Sequence, residues 1–190
     1  MTRMLGLMKP NWFLALSVSA VGWFEERAGP APEGIQGFDA LDLHLTLAFL
    51  GSCGPEGAAE AFAASSDWGV GALDVGLGEV VPMGPPERYS ALSILLTEGR
   101  EEVEREMGRV RGRWLEIAGA RPDRRPPKAH ITIARPLRLA TDPQREAALQ
   151  WASALDFSGV GLSLQRLALY TRASDRKLRR FDVARERCLN

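Results

Sequence analysis

Residues 41–51, LDLHLTLAFLG, alternate too regularly to fold as anything but a strand. Leu41, Leu43, Leu45, Leu47 and Phe49 share one parity, and Asp42, His44 and Thr46 share the other. A period of two marks a half-buried strand. Its leucine face packs on a core, and His44 and Thr46 are displayed together on the opposite side. The pattern recurs in residues 127–136, PKAHITIARP, where His130, Ile131 and Thr132 repeat the order histidine, apolar, threonine. These are the only two histidines of the chain, and each stands two residues before one of only six threonines. They lie 86 residues apart in a chain of 190, the spacing of an internal duplication in which each lobe supplies one such strand.

Further strands are predicted at residues 12–19, 72–80, 90–96, 162–170 and 178–183, in addition to 43–50 and 129–134 around the two motifs. A helix is predicted over residues 98–118. Its Val103, Met107, Val110, Trp114 and Ile117 recur at steps of three and four, with glutamates and arginines outside. A second helix starts at Thr141-Asp142-Pro143, a cap followed by proline, and points Ala147, Trp151 and Leu155 inward. A third, shorter one follows Pro55. Residues 29–37, 82–86 and 121–127 are rich in glycine or proline and read as loops. Strands mixed with helices, without regular βαβ alternation, indicate an α+β protein with largely antiparallel sheets.

Twenty-four basic and 24 acidic residues cancel, which removes any global field for nucleic acid or membrane. The charge is nonetheless segregated. Residues 51–104 hold ten acids against two arginines, whereas residues 121–138 hold six bases against Asp123 alone. Residues 166–187 add eight bases against three acids. The bland explanation of such runs is a solvated face. Cys53 and Cys188 form no metal-ligand or disulfide pattern, so a reducing cytoplasm is expected. Arg3 and Lys9 ahead of an apolar run resemble a secretory leader, but the run is short and reads equally as a first strand with Phe13 and Ala15 on one side. No apolar stretch approaches the ~20 residues of a membrane span.

Two histidines facing each other across a groove between lobes can serve as general base and general acid, because imidazole titrates near pH 6.5. Threonine hydroxyls donate to an anionic oxygen between them, and an arginine can neutralise charge in the transition state. In-line cleavage of a phosphodiester suits this equipment. Metal binding is disfavoured, since zinc sites take three or four protein ligands and only Asp42 shares a face with a histidine. Nothing in the sequence activates Cys53 as a nucleophile.

HLTLAFLG and HITIAR resemble the paired H-x-T-x signatures of the 2H phosphoesterase superfamily. The nearest branch is the bacterial and archaeal RNA 2′,3′-cyclic phosphodiesterases, also called 2′-5′ RNA ligases. FLALSV, ALDVGLGEVVPMG and LQRLALYTR resemble that family's opening, central and late strands. The resemblance implies one bilobal, pseudo-twofold α+β domain over residues 1–190, with two mainly antiparallel sheets forming a central cleft and helices outside. It implies a monomer without metal or cofactor, acting on RNA ends or small cyclic nucleotides in the cytoplasm. His44 would be the proton donor and His130 the proton acceptor, with Thr46, Thr132 and Arg135 holding the phosphate. Arg135 has the wrong parity relative to His130 and reaches the phosphate only if the strand ends or bulges before Pro136. Tyr170 and Phe181 either stack a base or fill a core, the second being the more ordinary role for such residues. The implied reaction is hydrolysis of a 2′,3′-cyclic phosphate to a 2′-phosphate, and the same groups could run a reversible 2′-5′ ligation. Two other readings stay open: a nucleotide- or RNA-binding module with little turnover, and a phosphodiesterase for another cyclic nucleotide or nucleotide-sugar phosphate.

Overall fold

The computed structural model describes residues 9–175 and 179–189. Within them nine strands and four helices follow in the order β1 (Trp12–Ser17), α1 (Phe24–Ala28), β2 (Ile35–Gly37), β3 (His44–Gly51), α2 (Gly54–Ala64), β4 (Leu73–Met83), β5 (Ala91–Leu96), α3 (Arg100–Ile117), β6 (His130–Pro136), α4 (Asp142–Ser153), β7 (Gly161–Leu164), β8 (Arg166–Arg172) and β9 (Phe181–Cys188). Every strand pairing among the described residues is antiparallel. The order β7-β4-β5-β6-β3-β1-β8-β9 divides into two four-stranded halves that meet at β6 and β3, with β2 added beside β6. The two motif strands are thus neighbours at the junction, paired through Leu45 and Ile131, instead of facing each other across a gap.

One side of the sheet carries the main core. Leu14, Leu16, Leu45, Leu47, Ile94, Ile131, Ile133 and Leu167 are at most 1 % exposed there. Helix α3 packs on β3, α2 packs on β1 and β8, and α4 packs on β4 and β2. Along α3 the apolar stripe is buried as its periodicity requires, but Glu106 is buried with it. Its carboxylate accepts the Trp68 indole N–H at 2.8 Å and two N–H groups of Arg109 at 2.7 and 3.0 Å, the partners a buried charge requires. Thr141 and Gln144 close a reciprocal capping box at the start of α4. The buried face of α4 is Ala148 and Ala152, so Ala147 points to solvent instead of inward.

Three expectations change in detail. The apolar run 162–170 is two strands broken at Gln165, and this break carries the chain from the outer edge of one half (β7) into the other half (β8). The stretch 29–37, read as a loop, ends in β2, and α1 precedes it where no element was predicted. α1 is tied to α4 by the Trp151 indole donating to the Ala28 carbonyl. The last strand starts at Phe181, and Leu178, placed in it from sequence, lies outside the described residues.

Leu41 and Phe49 also leave the leucine face. Leu41 sits in a single helical turn before the strand and is 77 % exposed, and Phe49 is 54 % exposed. Leu45→Ala is therefore expected to cost about 2–5 kcal/mol through the cavity it leaves at the junction, and Leu41→Ala under about 0.5 kcal/mol. Urea denaturation of both variants checks this, and equal losses would contradict the assignment of faces.

Candidate active site

The face of the sheet turned away from the helices carries the polar motif side chains. With Leu45 opposite Ile131, antiparallel register sets His44 opposite Thr132 and Thr46 opposite His130. The histidines are then diagonal neighbours, about 7–8 Å apart by strand geometry. Each is anchored in the same way. His44 Nδ1 lies 2.7 Å from the Asp42 carbonyl oxygen, and His130 Nδ1 lies 2.7 Å from the Lys128 carbonyl oxygen. A carbonyl only accepts, so the neutral rings carry their proton on Nδ1 and keep Nε2 as a lone pair. The Thr132 hydroxyl is fixed by Ser93 at 3.1 Å.

Each motif strand then bulges at the residue after its threonine, and β3 shifts register a second time at Leu50. Ala15 pairs with Thr46 and Leu14 with Ala48, which makes Leu47 an extra residue in β3. Ser93 pairs with Thr132 and Leu92 with Ala134, which makes Ile133 an extra residue in β6. An extra residue switches the parity of everything after it. The residue five positions beyond each histidine, Phe49 in one motif and Arg135 in the other, is thereby turned onto the face of the histidines. This is how Arg135 overcomes its apparent wrong parity.

A cavity of about 360 Å³ opens on this face, at the small end of the ~300–1,000 Å³ usual for ligand sites. His44, Thr46, Phe49, Arg135 and Phe181 line it, together with Lys9, Arg172 and Arg180, and no carboxylate is among its described lining residues. His130 and Thr132 are not among the lining residues; register alone brings them beside it. Arg135 and Arg180 both lie over the Phe38 ring, at 5.7 and 4.7 Å from its centroid. The basic segment 166–187 thus contributes Arg172 and Arg180 to the site, a role that its charge count could not separate from a solvated face.

Of the two aromatic candidates, Phe181 lines the cavity and Tyr170 does not. Tyr170 is 4 % exposed, stacked on Phe13 with centroids 5.1 Å apart, and its hydroxyl is pushed up to about 12 by burial. It packs beside His44 with ring centroids 5.2 Å apart, the core role that is the alternative to stacking a base. Asp42 also serves differently from the metal ligand considered for it. Its carboxylate, 1 % exposed, accepts the backbone N–H groups of Arg180 and Phe181 at 2.9–3.2 Å, while its carbonyl oxygen holds His44. One residue thereby fixes both the first histidine and the start of β9. Among the described residues no three His, Cys, Asp or Glu side chains group as metal ligands, and no helix is long and apolar enough to cross a membrane.

No protein-family model and no curated protein matches the sequence. Solved structures do match the fold. Escherichia coli LigT complexed with NADP+ superposes with a TM-score of 0.67 at 18 % identity, covering 97 % of this chain and 99 % of LigT. The chain has the LigT fold. TT0787 of Thermus thermophilus gives 0.69 at 17 % identity over 94 % of this chain and 97 % of its own. Usb1 of Kluyveromyces marxianus gives 0.56 at 13 % identity over 95 % and 98 %. This is the fold expected from the doubled motif, and LigT has also been crystallised with 3′-AMP, ATP and phosphate.

Within this LigT fold the two histidines differ electrostatically. Burial against Phe13, Tyr170 and Phe181, whose centroids lie 4.8–5.2 Å away, pushes His44 down to about 4, and Arg135 and His130 push the same way. Burial also lowers His130, as do Lys128, Arg135 and Arg125. Unfolded His44 titrates near 6.5, so between pH 6.5 and 4 the unfolded chain binds the extra proton. The stability of the neutral ring is complete above pH 6.5 and falls by about 3 kcal/mol as pH drops toward 4. His44→Gln removes this titration and is expected to flatten the acid limb of stability by that amount. Urea midpoints at about pH 7 and pH 4.5 measure it, and parallel curves for both proteins would contradict it.

Proposed function

We propose that the protein is a metal-independent 2H phosphoesterase that hydrolyses 2′,3′-cyclic phosphates, on RNA ends or small nucleotides, to 2′-phosphates. The observation that carries this reading is the matched pair of Nδ1-anchored histidines set diagonally on adjacent strands beside a cavity walled by cations. The likeness to LigT, a protein crystallised with 3′-AMP and phosphate, supports a nucleotide phosphate as the guest.

In this reaction His130 Nε2 takes a proton from water as the water oxygen attacks phosphorus. The bond to the 3′ oxygen breaks, and that oxygen leaves with the proton from His44 Nε2. Thr46, Thr132 and Arg135 hold the non-bridging oxygens. The acid must be protonated, yet burial among its neighbours lowers His44 to about 4. The substrate anion supplies the difference. A phosphate charge about 4 Å from the imidazolium contributes about 4 kcal/mol at an effective dielectric constant near 20, or about three pKa units, slightly more than burial removes. Binding therefore arms the acid, and a proton is taken up with the substrate.

His44→Ala and His130→Ala should each reduce kcat/KM on a 2′,3′-cyclic nucleotide by at least about a hundredfold, with chelator present throughout. The wild-type rate should be bell-shaped in pH. Undiminished turnover in either variant, or a flat profile through neutrality, would refute the assignment of acid and base. Tight nucleotide binding with no product would instead favour a binding module.

A further inference from the structure

The cavity does not end at Phe49. A second hollow of about 540 Å³ shares Phe49 and Asn11 with it and continues between the end of β3 and the loop that follows α3. It is lined by Gly51 and Gly119, two glycines at positive φ, and by Arg121 and Arg125 of the loop after α3. That loop is built, not loose. The Asp123 carboxylate accepts the backbone N–H and the guanidinium of Arg125 at 2.8–3.1 Å, and Arg111 donates to the Arg125 carbonyl. Asp123 is shared with Arg111 at 3.8 Å, so it compensates Arg125 only in part. Arg121 is exposed, and among the described residues it forms no ion pair or hydrogen bond.

A cationic cavity, an exposed aromatic ring at its mouth and a groove leading to an unneutralised arginine reproduce the pattern by which single strands are bound, bases on rings and phosphates on cations. Phe49 is an expensive residue to expose, and the β3 bulge that turns it outward also removes it from the core. We propose that this groove is a second nucleotide subsite. It receives the nucleotide on the 5′ side of the reacting phosphate, with a base stacked on Phe49 and a backbone phosphate on Arg121. The favoured ligand is then a single-stranded RNA end and not a mononucleotide. This rests on the reading of the first cavity as the cyclic phosphodiesterase site.

The test pairs a 5′-labelled tetraribonucleotide ending in a 2′-phosphate with the corresponding mononucleotide, measuring binding by anisotropy and competition. Turnover of the matching cyclic phosphates is measured in parallel. The tetranucleotide should bind the wild type at least about tenfold more tightly. Phe49→Leu should remove about tenfold of that advantage and Phe49→Trp should keep it, since stacking and not apolar bulk is at work. Arg121→Glu should weaken the tetranucleotide and lower its salt dependence, leaving mononucleotide turnover unchanged. Equal affinity for the two ligands, or losses shared equally by both, would overturn the subsite even if turnover persists. A length advantage that responds to Phe49 and Arg121 without any turnover would keep the subsite and refute the phosphodiesterase reading.

Discussion

The contact on which the site depends is the pairing of β3 with β6. The meeting of the two halves of the sheet at Leu45 and Ile131 sets the two histidine-threonine pairs on one face at one spacing. Both contact residues are fully buried, so the junction is held by the core beneath and not by the polar groups above. The chemistry is mounted on two strands whose paired residues, Leu45 and Ile131, lie in the core. A loop-borne histidine would need substrate to order it, whereas here Nδ1 of each ring is already bonded to the chain two residues back.

Around that junction the two motifs are used alike and finished differently. Each strand presents histidine and threonine, bulges at the residue after the threonine, and turns the fifth residue past the histidine to the same side. In one motif that residue is Phe49 and in the other Arg135. In the proposed reaction the symmetric part supplies acid, base and hydroxyls. The asymmetric part offers one side of the site a ring and the other a cation, as a ligand with a base at one end and a phosphate at the other requires.

The alternation is readable because a strand with one face on a core enforces it, and His44, Thr46, His130 and Thr132 lie where parity puts them. Strict parity fails where a bulge intervenes. Nothing in HLTLAF announces that Leu47 is an extra residue, so parity alone assigns Phe49 to the core although it lines the cavity. The identical order in HITIAR is a usable signal, since the need for Arg135 to reach the site implies a bulge that its twin would share. Asp42, Arg172 and Arg180 are illegible for a different reason. Their roles depend on β9 folding back beside the first motif, a contact 138 residues long in sequence that leaves no local periodicity. Glu106 is misplaced by the same logic, since the partner that lets it be buried, Trp68, belongs to another element.

The aromatic surround of His44 gives the site its directionality. It holds the ring neutral, and in the proposed reaction the substrate anion restores the proton that burial removes. Everything in this account requires that one anion be felt by both rings. Nitrogen-15 NMR of the imidazole Nε2 atoms of His44 and His130, during titration with inorganic phosphate at about pH 6.5, tests that directly. Both signals should move toward the protonated position with a single shared dissociation constant. Movement of one ring without the other, or two unrelated constants, would contradict it.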